Sequence, residues 1–282
     1  MQLIHHGPGK AWVKMSTDLL WPVITAGKRL SNVPVLKWLI RPFFMRPYNE
    51  ITTIPIHAAV EAPGSVVLPR RIVDRLLEDV DDIFILDECI CRAHYQADSP
   101  PRTIGCIALG PAIRRIHPSH GRTTSTEEAK RHVDRAARAG LIANIAHVWI
   151  DPVAFGTRFR DLIFICLCDD THCLYRTHMK HRGPTLAGAY QRLPGLSVSI
   201  DRDLCLGCGE CVEKCFLADI RLRDGKAEIG GACAGCGRCV EVCPNGAAAL
   251  TLANEEVLYG NLVRWIRGVS ELPLRNPGVA TE

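Results

Sequence analysis

The residues with the clearest chemical purpose are two runs of cysteine. Cys205-Leu-Gly-Cys208-Gly-Glu-Cys211-Val-Glu-Lys-Cys215 is followed, after a gap, by Cys233-Ala-Gly-Cys236-Gly-Arg-Cys239-Val-Glu-Val-Cys243-Pro244. Each run reads C-x2-C-x2-C-x3-C. That spacing lets three thiolates of one tight loop cap three irons of a cubane, while the fourth cysteine turns to the other cluster. The expectation is two [4Fe-4S] clusters with crossed ligation. Cys205, Cys208, Cys211 and Cys243 would hold one, and Cys233, Cys236, Cys239 and Cys215 the other. Gly207, Gly209, Gly235 and Gly237 lie between the ligands, where glycine permits positive φ and brings N–H groups towards cluster sulfurs. Two zinc sites are the alternative, because thiolates also suit zinc. Shared ligation between repeated runs is an iron–sulfur habit.

A second set of cysteines lies upstream: Cys89, Cys91, Cys106, Cys166, Cys168 and Cys173. Buried reduced cysteine is a common core residue, and six inert thiols are the bland account. The pattern argues for more. Ile83-Phe-Ile-Leu and Leu162-Ile-Phe-Ile are matched apolar runs, and each leads into a C-x-C pair. Residues two apart on a strand point to one face, so each pair would present two thiols together. Were the strands neighbours, four sulfurs would meet. Cys89, Cys91, Cys166 and Cys168 are the expected ligands of a third site, with Cys106 or Cys173 as substitutes for one of them. Such a site would take zinc or another iron–sulfur cluster. His94 and His172 are nearby alternatives.

The elements that must position these residues predict an α+β protein, a mixed α/β N-terminal domain followed by a ferredoxin-like two-cluster domain. The expected organisation is a basic helical segment over 1–50, a cysteine-containing α/β domain over 51–195, the cluster domain over 196–253, and a helix and tail over 254–282. Ser31-Asn32 and Pro34 predict a short helix ended by Pro42 and Pro47, with Leu36, Leu39, Ile40 and Phe43 on one face. Residues 51–68 read as extended and broken by Pro55, Pro63 and Gly64. A helix opens at Pro69, with Ile72, Val73, Leu76, Leu77 and Val80 at core spacing. Ser125 and Glu128 form a capping-box pattern for a helix that Gly140 closes, and Leu141 to Val148 reads as a strand. Residues 174–196 read as a linker or surface helix. Ser197–Ile200 and Glu228–Ile229 read as short strands, and Val212–Phe216 and Val240–Cys243 as helical turns. A last helix over Asn254–Arg267 would pack on the cluster domain, and the tail from Pro273 to Glu282 reads as disordered.

Charge is unevenly placed. The chain carries 34 Lys/Arg and 30 Asp/Glu, a net +4, yet residues 201–253 hold six basic and eight acidic groups, leaving +6 elsewhere. This asymmetry favours a redox partner protein docking by charge over a nucleic-acid function. Residues 1–50 hold seven basic and two acidic residues, which allows at most a peripheral membrane contact. The opening stretch MQLIHHGPGKAWVKM shows no continuous apolar core and no small-residue cleavage site, so the cysteines read as metal ligands in a reducing cytoplasm. No Gly-x-Gly-x-x-Gly or phosphate-cradling glycine loop is present, and no Ser/His/Asp set stands at a telling spacing.

The two runs resemble bacterial two-cluster ferredoxins. Phe216 departs from that pattern, which usually has proline after the fourth cysteine. The N-terminal part, in CICR, GCIALGPAI, TSTEEA and FICLC, resembles ferredoxin-fused iron–sulfur proteins of anaerobes, over roughly residues 50–250. Asp169, Asp170, Thr171 and His172 stand where that group is richer in cysteine. The function expected is an electron-transfer protein carrying two [4Fe-4S] clusters, passing single electrons to or from a partner redox enzyme. The alternative is an enzyme whose N-terminal cysteine site is fed by the ferredoxin domain, which the length of chain outside the cluster runs favours. A redox-sensing regulator ranks below both. It would use the helix over 127–139, with Lys130, Arg131, Arg135 and Arg138 on phosphates.

Overall fold

The computed structural model describes residues 6–58, 60–62, 65–67 and 69–275. The expected break at Pro63-Gly64 and the tail beyond residue 275 lie outside the described residues. The chain opens with α1 (Lys10–Leu30) and α2 (Leu36–Phe44), then β1 (Asn49–Ile54) and a small antiparallel hairpin, β2 (Val60–Ala62) with β3 (Ser65–Val67). α1 is 21 residues long and carries Pro22 inside it; it falls in the basic segment expected to be helical, where the sequence resolves only a short helix near Ser31.

The sheet that follows is built from α3 (Arg70–Glu78), β4 (Ile83–Leu86), α4 (Ile90–His94), β5 (Ile107–Leu109), β6 (Gly121–Thr123), α5 (Thr126–Arg138), β7 (Ile142–Val148), α6 (Ile150–Phe155), β8 (Ile163–Cys168) and β9 (Tyr190–Arg192). Its seven strands run in the order β6-β4-β5-β8-β7-β1-β9, antiparallel except for the parallel pair β1/β9. Ser125 caps α5 by accepting from the Glu128 N–H at 3.3 Å, and Gly140, φ +69°, ends the helix.

The central strands are apolar on both faces because both are covered. Ile83, Ile85, Ile107, Leu109, Ile145, Ile163, Ile165 and Leu167 face α3 and α5, while Phe84, Leu86, Ala108, Phe164, Cys166 and Cys168 line the opposite core. α3 and α5 pack together, and the basic side of α5 is spent within the fold. Lys130 pairs with Glu78, Arg138 with Asp134, and Arg135 with His132.

Two expectations are corrected here. Residues 174–196 are no linker: Arg176, Met179, Leu186 and Tyr190 are buried, and the segment ends as edge strand β9 beside β1. The expected linker composition is basic because those side chains answer buried acceptors. The last helix, α9 (Glu255–Val269), packs on α3 of the N-terminal part as well. Arg75 pairs with Glu255 and Glu256, and the Tyr259 hydroxyl donates to Asp79. Leu258, Leu262, Val263 and Ile266 join one core that includes Ile72, Leu76 and the cluster-domain residues Leu250 and Leu252. That domain contributes β10 (Leu196–Ile200), α7 (Glu210–Lys214), β11 (Ile220–Arg223), β12 (Lys226–Ile229), α8 (Arg238–Glu241) and β13 (Ala248–Leu252), with β10/β13 and β11/β12 paired antiparallel. The whole is an α+β arrangement.

Candidate metal centres

The two runs fold as near repeats. In each, a glycine at positive φ precedes a one-turn helix: Gly209 (φ +85°) before α7 and Gly237 (φ +76°) before α8. Gly207 also has positive φ, and a Cβ there would meet the Gly225 carbonyl oxygen at 2.1 Å. Only glycine lets that loop close on the hairpin. One cavity is walled by Cys205, Cys208, Cys211 and Cys243, together with Ala227 and Pro244. Cys215, Cys233, Cys236 and Cys239 form the second group. The last three lie near one another and near Cys215, and Cys239 also feels Cys211 of the first group. Burial, then the neighbouring thiols, pushes Cys239 up to about 12. Backbone N–H groups of Ala227 and Asp219 approach the sulfurs of Cys205 and Cys215, each at 3.4 Å. The first group reaches the surface, since Cys208 is exposed and Leu206 beside it is 69% exposed. No cysteine of the second group is exposed.

The upstream cysteines come together, though by a route the sequence did not suggest. β4 and β8 are not neighbours; β5 runs between them. Cys166 and Cys168 do lie on one face of β8, as the spacing predicts. Cys89 and Cys91 do not end a strand. Cys89 precedes α4 in extended conformation, and Cys91 sits inside that helix. Cys106 leads into β5, and so stands in the gap between the two pairs. Gly105 makes this possible, because a Cβ there would meet the Leu86 carbonyl oxygen at 2.0 Å. Cys173 closes the set from the loop after β8, its Sγ 3.2 Å from that of Cys168.

The side-chain neighbours form a ring. Cys89 meets Cys106 and Cys91, Cys91 meets Cys173, Cys173 meets Cys168, Cys168 meets Cys166, and Cys166 meets Cys106. All six belong together, where the sequence argued for four with a substitute. All six are free thiols. Cys166 is held well above the ordinary thiol range by Cys106, Cys168 and burial, whereas Cys89 is drawn down by Cys106 and Cys91 donating to it.

Buried cations surround this ring. Arg92 donates to the carbonyls of Leu167 at 3.0 Å and Ile104 at 2.5 Å, and lies near Cys89, Cys106 and Cys168. Lys28 of α1 donates to the carbonyls of Leu174, Tyr175 and Thr177 at 2.5, 3.1 and 2.7 Å, near Cys173 and Cys91. Burial pushes its amine down to about 8. No carboxylate among the described residues pairs with Lys28; three backbone carbonyls accept from it. Arg176 is buried beside Cys173 and pairs with Asp170. Neither His94 nor His172 enters the ring. His94 contacts Asp18, and His172 contacts Asp169.

Among the described residues no three His, Cys, Asp or Glu side chains converge to hold a metal ion by themselves. The ferredoxin cysteines share that property, since the ligands of a cubane bind four different irons. A cavity of about 70 Å³ opens against Cys91, Cys106 and Cys166, walled also by Trp21 of α1, Asp151 and Tyr175. The Tyr175 hydroxyl donates to Asp151 Oδ1 at 2.8 Å, and Asp151 Oδ2 has no partner. Burial pushes this carboxyl up to about 7. Neither residue was singled out from the sequence; a lone Asp after a strand carries no motif.

Comparison with known proteins adds to the C-terminal part alone. The 4Fe-4S dicluster domain family matches residues 197–244. Ferredoxin-2 of Desulfomicrobium norvegicum (strain DSM 1741 / NCIMB 8310) is 52% identical over 33 residues, which is 12% of this chain and 56% of that ferredoxin. The chain thus spans a little over half the length of that relative. No solved structure matches the chain. The chain carries a 4Fe-4S dicluster domain, and the domain and its ferredoxin relative support an iron–sulfur electron-transfer role.

Proposed function

We propose that this protein is a carrier of single electrons with two [4Fe-4S] clusters, exchanging them with a partner redox protein at the surface around Cys208. The observation that carries this is the grouping of Cys205, Cys208, Cys211 and Cys243 about one cavity at the surface, with Cys215, Cys233, Cys236 and Cys239 behind it. Each set offers four thiolates to a cubane, crossed between the runs. The clusters supply one-electron redox chemistry when bound. The chain's part is to aim N–H groups at the sulfurs, which tunes the potential. Iron and acid-labile sulfide counts on anaerobically purified protein, with EPR after reduction, test it. About eight ferredoxin irons and a coupled two-cluster signal are expected. A single cluster would overturn it.

A second reading has its own observation. Four of the ring's thiols, Cys106, Cys166, Cys168 and Cys173, share one core with Cys215 and Cys236 of the ferredoxin domain. Cys166, Cys168, Cys173, Tyr190, Phe216 and Ala234 pack together, with Cys215 and Cys236 at its edge. This supports a third polynuclear centre at the ring, fed from the inner cluster, and a redox enzyme as the whole. The cavity walled by Asp151 and Tyr175 would then admit the substrate. Iron in excess of the ferredoxin complement tests this reading, and its absence counts against it.

A further inference from the structure

The inner faces of α1 and α2 hold the fold, and their outer faces do nothing for it. In α1, Val13, Trp21 and Lys28 are buried, yet Trp12, Met15, Leu19 and Val23 are 59%, 56%, 74% and 64% exposed. At about 100° per residue these four fall within roughly 80° of one another, a continuous stripe along the helix. α2 has no buried residue, and its Val35, Trp38, Leu39 and Phe43 are 81%, 64%, 70% and 52% exposed, again at helical spacing. The two helices touch where Gly27 meets Ile40 and Phe44. A monomer rarely leaves this much large apolar side chain in water.

The charges beside the stripe are of one sign. α2 contains Lys37 and Arg41 and no acid, and neither pairs with a carboxylate among the described residues. Arg29 reaches only His178. The two acids of this region are already engaged: Asp18 with Lys14 and His94, Glu50 with Arg46 and Trp265. A second copy docking through the same face would bring Lys37, Arg41 and Arg29 against their own equivalents with nothing to offset them. A surface rich in phosphate would satisfy them. Exposed Trp and Phe beside Lys and Arg, on helices lying side by side, is the composition of an interfacial amphipathic anchor. No helix among the described residues is long and apolar enough to cross a membrane.

We propose that the α1–α2 pair seats this protein on an anionic phospholipid bilayer, lying in the interface with its apolar stripe at the acyl boundary and Lys37, Arg41 and Arg29 at the lipid phosphates. The stripe supplies burial, and the basic groups supply the preference for anionic lipid. The proposal stands apart from the redox chemistry and does not depend on it.

The test is flotation of the full chain, purified anaerobically with its clusters, on vesicles of phosphatidylcholine alone and of phosphatidylcholine doped with phosphatidylglycerol. The expected result is flotation with the doped vesicles, at least about tenfold weaker with the neutral ones. Leu19→Glu with Trp38→Glu abolishes flotation while visible cluster absorbance and far-UV dichroism stay unchanged. Lys37→Gln with Arg41→Gln removes the anionic preference and leaves the weaker neutral binding. Failure to float on either vesicle overturns the proposal. So does flotation by the glutamate variant equal to wild type. A dimer in solution that those same substitutions split, with no flotation by the wild type, would assign the face to a second copy instead.

Discussion

The guanidinium of Arg176 lies 3.6 Å from the centroid of the Phe216 ring. Arg176 follows the ring cysteine Cys173 by three residues, and Phe216 directly follows the ferredoxin ligand Cys215. Tyr190 meets the same ring edge-on, 4.9 Å between centroids. The residue that breaks the ferredoxin pattern is therefore the one that packs against the N-terminal part. A proline in its position would offer Arg176 no π-face.

The neighbouring Asp170 ties the two parts by charge. It accepts from Arg176 Nε and from Arg238 Nε of the cluster domain, both at 2.8 Å. Burial works against its carboxylate, yet Arg176 and Arg238 hold it below the usual carboxylate range. Asp170→Ala leaves the buried Arg176 without its carboxylate, while Arg238 keeps Glu241 at 2.9 Å. A loss of about 3 kcal/mol is expected, the low end for a broken buried pair because Asp170 keeps some solvent contact. Anaerobic urea titration, followed by both cluster absorbance and dichroism, checks it. Unchanged stability would mean that water replaces the carboxylate without cost.

Cys243→Ala should damage the cluster held by Cys205, Cys208 and Cys211 more than that of its own run. Mössbauer and EPR spectra of the variant distinguish the two. Loss confined to the cluster of Cys233, Cys236 and Cys239 would refute crossed ligation.

Changing Cys89 and Cys91 together to Ser should lower the iron count and leave the ferredoxin absorbance intact. The six-thiol ring then loses two adjacent members. An iron count identical to wild type would show that the ring holds no metal and that its cysteines are only packed.

Stability should fall as the solution turns acidic. Burial keeps His120, His132 and His147 below the ordinary imidazole range, although each has a backbone carbonyl as partner: Pro8, Gly105 and Leu162. The fold prefers neutral imidazole, so below about pH 6.5 the unfolded chain binds more protons and gains on the native state. The contribution is complete above that pH and lost beneath it. His132→Gln should flatten the slope between pH 7 and pH 5 in melting temperature, the variant losing less than wild type over that interval.

Local signals in the sequence were read well, and non-local ones were not. The alternation of β8 put Cys166 and Cys168 on one face. Strand order leaves no trace in spacing, however, so the insertion of β5 between β4 and β8, and with it the full membership of Cys106, was invisible. The helical character of 1–50 was legible, but the extent of α1 was not; within it the Thr25 hydroxyl bonds the Trp21 carbonyl in the turn that holds Pro22. The reach of α9 to α3 was missed because its apolar face fits either domain. One core results, and a fragment ending at residue 195 would expose Ile72 and Leu76 where α9 now lies.

The ring's construction has a consequence for how the protein matures. Three cysteines of each ferredoxin run lie within one short loop, so they can come together without the rest of the fold. The ring instead joins distant groups, Cys166, Cys168 and Cys173 on one side and Cys89 and Cys91 on the other, with Cys106 between. The Leu174 N–H that meets Cys91 Sγ comes from 83 residues away, and Cys106 arrives only once β5 has taken its place between β4 and β8. A centre that used all six thiols would therefore need the sheet assembled first.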